Sequence, residues 1–364
     1  MVINADSSPA AEIRKKQKLK RLLAVIGESL KDYFIEKIAE KNGERPKTVS
    51  IKDVVTKEKG TSKSKVHYIT YYLSSDVGEA TVHMVVKFSS SEERYKREIE
   101  NYERFKDIHL RYKGVYTPKI IYTSPSTRAI IYEGIKGASF RECKLDQNYK
   151  HHLAGQVLAA IHGINKEKID ITPYKKFLLY LLSMIKDEKW EKELLELFLP
   201  HFLSLESAYS STIIHGDFHQ GNLIFEANVP DTNSINAIMK APRVRVYVID
   251  TEFSLPGRDR CEDIGTFYAK PILKEFHDYG TISETKKDIK VFIEGYNSAL
   301  KELNADFTLK DLYPKGETLR FHMAIYILYT ITEIINKENL TLLNEKIVQR
   351  LKLIRKLLNS EDLF

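Results

Sequence analysis

The sequence predicts an α+β protein in two lobes: a small antiparallel-sheet lobe with a leading helix over residues 1–134, and a larger helical lobe over 135–364. Three observations predict it. The 364-residue, 42.2 kDa chain is long for a single core. Runs of β-branched and aromatic residues, broken by turn residues, fill its first third. After "EGIKG" the apolar residues recur at i, i+3 and i+4, the spacing of helices.

The elements follow in order. "LKRLLAVIGESLKDYFIEKIAEK" (19–41) has helical periodicity, and the basic run "RKKQKLKR" (14–21) at its start reads as a solvated helix face. "TVSIKDVV" (48–55) and "KVHYITYYL" (65–73) are strands joined by the turn segment "KEKGTSKS" (57–64). "ATVHMVVKF" (80–88) is a third strand. The charged helix of 91–108 then carries Ile99, Tyr102 and Phe105 on one face. "KIIYTS" (119–124) and "RAIIYEGI" (128–135) complete a five-stranded antiparallel sheet. Helices follow at 149–164 and 177–205, the second broken or kinked at Pro200. Two short strands, "GNLIF" (221–225) and "VRVYVID" (244–250), flank a connector over 226–243 too long and polar for a tight hairpin. From about residue 285 the chain is helical again.

Composition narrows the class. With 43% hydrophobic and 29% charged residues, the chain reads as a soluble globular protein. No apolar stretch approaches the roughly 18 residues a membrane span needs; the longest run, "AIYILYTI" (324–331), is a core helix face. The N-terminus has no signal-peptide h-region, and Cys143 and Cys261 lack metal-ligand spacing, so a reducing, cytoplasmic setting is expected. The formal charge of +7 is modest for this size, and no nucleic-acid partner is expected.

The chemistry concentrates in "IIHGDFHQGNLIF" (213–225), where polar residues stand between two apolar flanks. Gly216 and Gly221 argue against a continuous helix, so Asp217 and Asn222 share a loop. Asp250 ends the apolar strand "VRVYVID". An amide oxygen and a strand-end carboxylate are hard ligands that suit Mg²⁺ with a polyphosphate. A second carboxylate, not chelated, can take a proton from an attacking hydroxyl. Phosphoryl transfer needs this division of labour.

"HGDFHQGN" followed by "VIDTEF" resembles the catalytic and metal motifs of the aminoglycoside phosphotransferase and choline kinase superfamily. The "IDxEF" form and the "DIG" at 263–265 are shared with its methylthioribose kinases. The resemblance covers about residues 48–300 and implies a protein-kinase-like fold and an ATP- and Mg²⁺-dependent enzyme. The acceptor it implies is a hydroxyl of a small molecule. It makes Asp217 the catalytic base, Asn222 a magnesium ligand and Asp250 the carboxylate bridging magnesium to the phosphates.

The remaining parts are placed on the same resemblance. Lys87, in an otherwise apolar strand, needs a partner, and Glu98 is favoured over Glu93 and Glu100; the pair would hold the α and β phosphates. "KGTSKSKV" resembles the phosphate loop but has one glycine, Gly60, where protein kinases have three. Ser62, Ser64 and backbone N–H groups are then the phosphate donors. "IIYEGIKG" resembles the connector that reads adenine, through the Glu133 carbonyl and the Ile135 N–H. His215 and Asp263 are supports; Asp263 either accepts hydrogen bonds from the catalytic-loop backbone or caps a helix starting at "DIGTFYAK". Glu252 is either a second metal-shell carboxylate or a strand-end residue facing outward. His219 is a packed, hydrogen-bonded loop residue.

Two other readings stand beside this one. A protein Ser/Thr kinase is disfavoured by the poor glycine loop and by the twelve residues between Asp250 and Asp263. A nucleotide-binding pseudokinase or scaffold does not require Lys87, Asp217, Asn222 and Asp250 together. For the acceptor, Tyr268, Tyr279, Tyr296, Tyr326 and Tyr329 are material for a choline-type cage, though most read as core. Arg258 and Arg260 face an anionic or sugar-like acceptor, or solvent. The acceptor cavity is expected between the helices of 174–206 and those beyond 285.

Overall fold

A computed structural model describes residues 23, 26–27, 29–61, 64–163, 169–206, 211–226, 244–312, 316–338 and 344–360. The chain divides into two compact units, residues 1–96 with 118–135, and residues 97–117 with 136–364. The 14–21 basic run and nearly all of the 226–243 connector lie outside the described residues.

In the first unit, α1 (Lys31–Asn42) precedes the strands β1 (Val49–Thr61), β2 (Ser64–Ser75) and β3 (Gly78–Phe88). The chain then passes through α2 (Glu92–Phe105), the short α3 (Ile108–Arg111) and β4 (Val115–Tyr116). It returns to the first unit with β5 (Ile120–Ser124) and β6 (Ala129–Glu133). The sheet is antiparallel with order β1-β2-β3-β6-β5, the five strands expected. Alternation along β3 buries Ala80, Val82, Met84 and Val86 on one face, in one cluster with Phe34 and Ile38 of α1. The first hairpin is longer than its composition suggests. Pairing continues to Thr61↔Ser64, so Gly60 and Ser64 are strand residues at its tip, and Ser62 lies outside the described residues. A register already set by Ile69, Tyr71 and Leu73 on the buried face carries poor strand formers along with it.

The second unit opens with β7 (Ala138–Ser139) and α4 (Gln147–His162), whose start is capped by the Asp146 carboxylate on the Tyr149 N–H at 3.0 Å. Next come α5 (Thr172–Ser183) and α6 (Glu188–Glu206). The expected single helix is indeed interrupted, but at 184–187 and not at Pro200. Lys186 takes a left-handed φ of 54°, and Asp187 restarts the helix by accepting the Trp190 N–H at 3.0 Å. Pro200 sits inside α6 as an exposed residue, and Glu196, whose carbonyl loses its donor, is exposed too.

β8 (Ser211–Ile214), β9 (Leu223–Glu226), β10 (Arg245–Val248) and β11 (Leu255–Asp259) follow, then the helices α7 (Arg260–Tyr279), α8 (Ser283–Glu302), α9 (Leu309–Leu312), α10 (Glu317–Glu338) and α11 (Glu345–Asn359). A four-stranded sheet has order β4-β10-β9-β7, and β8 pairs with β11. Its core gathers aromatic rings about Phe267, with Phe218, Phe292, Phe140 and Tyr268 each within 6 Å, centroid to centroid. Helices α4 and α8 approach backbone to backbone. A Cβ on Gly155 would stand 2.0 Å from the Phe292 carbonyl oxygen, and one on Gly295 2.0 Å from that of His152. Only glycine fits at either position.

Candidate active site

The apolar flanks of the 213–225 segment are the ends of β8 and β9, with Ile214, Leu223 and Phe225 buried. Between them the loop is held from beneath by one carboxylate. Asp263, fully buried on α7, accepts the backbone N–H of His215 at 2.7 Å on Oδ2 and that of Gly216 at 2.9 Å on Oδ1. His162 at the end of α4 donates through Nε2 to Oδ2 at 3.0 Å, and its Nδ1 meets the Tyr296 hydroxyl at 2.7 Å. Burial pushes the Asp263 carboxyl up, and His215 with the two N–H groups pulls it back. Of the two sequence readings of Asp263 the helix cap is excluded: α7 begins at Arg260, and its cap is Asp259, which accepts the Cys261 N–H at 2.6 Å.

His215 joins this loop to the metal motif. Its Nδ1 accepts the Asp217 N–H at 3.3 Å, so the proton resides on Nε2, which donates to the Ile249 carbonyl at 2.9 Å. Burial lowers its basicity, so the ring is a neutral strut. Ile249 also donates its N–H to the Asn222 carbonyl at 3.1 Å, and Ser254 Oγ donates to the His215 carbonyl at 3.1 Å. Gly216 has φ +81°, and a Cβ there would fall 2.2 Å from the Phe253 carbonyl oxygen. The two motifs are thus one hydrogen-bonded body.

Asp217 stands on this body with its side chain 39% exposed, and its Oδ2 is 3.6 Å from His219 Nε2. Burial raises its pKa, the charge of Asp250 adds to the rise, and His219 and Lys270 oppose it. His219 is lowered by burial while Asp217 pulls it back, and its Nδ1 accepts the Gly221 N–H at 3.0 Å. It is the hydrogen-bonded loop residue expected, but its contact with Asp217 was not legible in the spacing.

Asn222 donates Nδ2 to the Asp217 carbonyl at 2.9 Å, which leaves Oδ1 as the amide end for a cation. Asp250 follows the end of β10 in a left-handed conformation, φ 60° and ψ 50°, an uncommon one for a residue other than glycine. Two oxygen ligands beside a carboxylate that Asp250 repels fit Mg²⁺, which keeps several waters and shares its shell with phosphates. Among the described residues no three His, Cys, Asp or Glu side chains form a closed metal site. Glu252 is 7% exposed, which rules out an outward-facing role.

The other expected residues divide between the units. In the first, Lys87 pairs in register with Val66 and Ile130 and is 4% exposed. The Glu133 carboxylate is turned to α1, 2.8 Å from Lys37 Nζ, so its backbone is the part left for recognition. Ile135 lies two residues beyond β6. In the second, Glu98 is buried on α2.

Both arginines offered to an acceptor are already engaged. Arg258 makes a paired contact with Glu262, at 2.9 and 3.0 Å, and lies over the Tyr174 ring. Arg260 is fully buried on the Gly163 carbonyl and the Tyr296 hydroxyl. Tyr268 and Tyr296 are core residues with no exposed surface, so neither belongs to a cation cage. Sequence reasoning missed Asn101, which donates Nδ2 to the Thr251 and Ser254 carbonyls at 2.8 and 3.2 Å and so holds the segment after Asp250. Its signal was an uncharged amide within a highly charged helix. His162, at the helix end "AAIHGI", was missed too.

The fold is kinase-like. Residues 68–238 match the model of the phosphotransferase enzyme family APH. Among solved structures, the ethanolamine kinase of Plasmodium vivax superposes with a TM-score of 0.50 at 12% identity, covering 85% of this chain and 83% of that one; at such identity the likeness speaks for the fold. The choline kinase of Streptococcus pneumoniae gives 0.48 at 16% identity, covering 91% of this chain and 99% of that one. The streptomycin–ATP–APH(2″)-IIa ternary complex gives 0.47 at 14%, covering 85% and 94%. No curated protein matches the sequence. No helix among the described residues is long and apolar enough to cross a membrane.

Proposed function

We propose that the protein transfers the γ-phosphate of ATP to a hydroxyl of a small molecule, with Asp217 as base. The observation that carries the reading is the single hydrogen-bonded body, centred on Asp263 and His215, that presents Asp217, Asn222 and Asp250 together. Asp217 takes the hydroxyl proton as the acceptor oxygen bonds the γ-phosphorus and the bond to ADP breaks. Its raised pKa makes it a better base than an exposed aspartate. Asn222 and Asp250 would hold Mg²⁺, which would supply countercharge to the phosphate oxygens. On the nucleotide side, Lys87 with Glu98 positions the α and β phosphates, aided by Gly60, Ser62 and Ser64, while Glu133 and Ile135 read adenine through their backbones.

The segment after Asp250 supports a small acceptor over a peptide. Thr251–Phe253 form a 3₁₀ turn, β11 pairs with β8, and α7 starts at Arg260, so its residues are spent on regular structure. Release of ADP from Mg·ATP, screened against small hydroxylated compounds with the full chain, tests the proposal. Release that depends on one such compound is expected. Labelling of generic protein substrates, with no release on any small compound, would overturn it.

A further inference from the structure

The helix that grips the catalytic loop continues into a basic cleft. Asp263, Phe267, Lys270, Lys274 and His277 of α7 are spaced three and four apart, so they lie along one side of the helix. Asp263 holds the His215 and Gly216 N–H groups, and one turn on, Phe267 stacks 5.4 Å from the loop's Phe218. One turn further, Lys270 and Lys274 enter a cavity of about 230 Å³ between α7 and α11, with His277, Lys346 and Arg350 also in its wall. Among the described residues no Asp or Glu lines it, and Phe276 supplies an apolar wall. Among its described lining residues none comes from the 174–206 helices, expected to enclose the acceptor.

Like charges gathered in a concave, partly apolar site repel one another and attract an anion. Arg350 is oriented there by its bonds to the Lys346 carbonyl, at 2.9 Å, and to Thr330 Oγ1, at 3.3 Å. Lys270 Nζ lies 6.0 Å from the Tyr326 ring centroid and close enough to Asp217 and His219 for its charge to act on both. At 1.5 Å per residue, Lys270 lies roughly 10 Å and Lys274 roughly 16 Å along α7 from Asp263.

We infer that the acceptor carries an oxyanion, phosphate or carboxylate, seated in this cleft by Lys270 and Lys274, with its reacting hydroxyl at Asp217. The inference rests on the kinase reading above and narrows it to anionic hydroxylated metabolites. Cationic amino alcohols and aminoglycosides would meet Lys270 and Lys274 with like charge.

The test uses the full chain with Mg·ADP present to fill the nucleotide site. Isothermal titration with inorganic phosphate and, separately, with succinate shows which oxyanion the cleft takes. Binding of one of them is expected, weakened at least about tenfold in the Lys270→Glu/Lys274→Glu double variant, whose melting temperature and Mg·ADP affinity hold. In the ADP-release screen, sugar phosphates and hydroxy acids are compared with neutral sugars, amino alcohols and aminoglycosides. An anionic acceptor is expected, with KM raised about tenfold in the Lys274→Glu single variant, which leaves Lys270 beside Asp217 in place. Absence of anion binding, or equal binding in the variant, overturns the inference while transfer to an uncharged or cationic acceptor leaves the kinase reading standing. Anion binding without Mg·ADP binding or any ADP release sinks the kinase reading and the acceptor assignment with it.

Discussion

Replacing Asp263 by Asn isolates the carboxylate that carries the catalytic loop. The side chain has no exposed surface and receives three donors: His215 N–H and His162 Nε2–H on Oδ2, and Gly216 N–H on Oδ1. An ionised carboxylate accepts all three. Asn has one oxygen, so in either orientation its NH₂ faces at least one of those donors across hydrogen-bond distance. The variant loses one charge-assisted bond, about 1.5–3 kcal/mol, and buries an unsatisfied donor at about 1–3 kcal/mol. We expect a net loss of about 3–5 kcal/mol, a large share of the roughly 5–15 kcal/mol typical of a folded domain. Equilibrium urea denaturation measures it. Turnover should fall as well, because Asp217 directly follows the two residues whose N–H groups Asp263 holds. Stability within about 0.5 kcal/mol of wild type, with turnover intact, would refute the idea that an ionised Asp263 holds the loop.

Further outcomes follow from the same geometry. Gly216→Ala forces a Cβ into the Phe253 carbonyl at a left-handed φ, so turnover should drop at least about tenfold; wild-type turnover would show that the loop relaxes freely. Asp250→Ala should abolish magnesium-dependent nucleotide binding, and unchanged Mg·ATP affinity by calorimetry would remove it from the metal site. Because burial and Asp250 raise the Asp217 pKa, kcat/KM should rise with pH through a limb above the ordinary aspartate value of about 3.9. His219→Gln removes the opposing charge and should move that limb higher still; a limb that moves lower, or stays in place, contradicts the pairing.

Much of this was legible in the sequence because it is written in local patterns. The five strands of the first unit alternate or run apolar. Gly216 and Gly221 put Asp217 and Asn222 on one loop, and the roles of Asp217, Asn222 and Asp250 are what the family resemblance implies. The second sheet was not fully legible, since β4 and β7 are two residues each and exist only through pairing with β10 and β9. The break before α6 depends on Lys186 adopting a left-handed turn, which composition hides and Pro200 obscures. The grip of His162 and Asn101 on the site spans 101 and 150 residues of chain respectively, a contact that periodicity cannot express. Arg258 and Arg260 show the converse: charge beside a motif suggested a ligand, while burial and Glu262 had already engaged it.

The central claim is that Asp217 accepts the acceptor's proton and does not hold the nucleotide. Asp217→Asn keeps the size of the side chain it replaces, and the main-chain bonds of residue 217, while removing its basicity. With Mg·ATP and an acceptor from the ADP-release screen, turnover should fall by roughly 10²–10⁴-fold while Mg·ATP affinity and unfolding midpoint stay at wild-type values. Turnover near wild type in this variant would contradict the account.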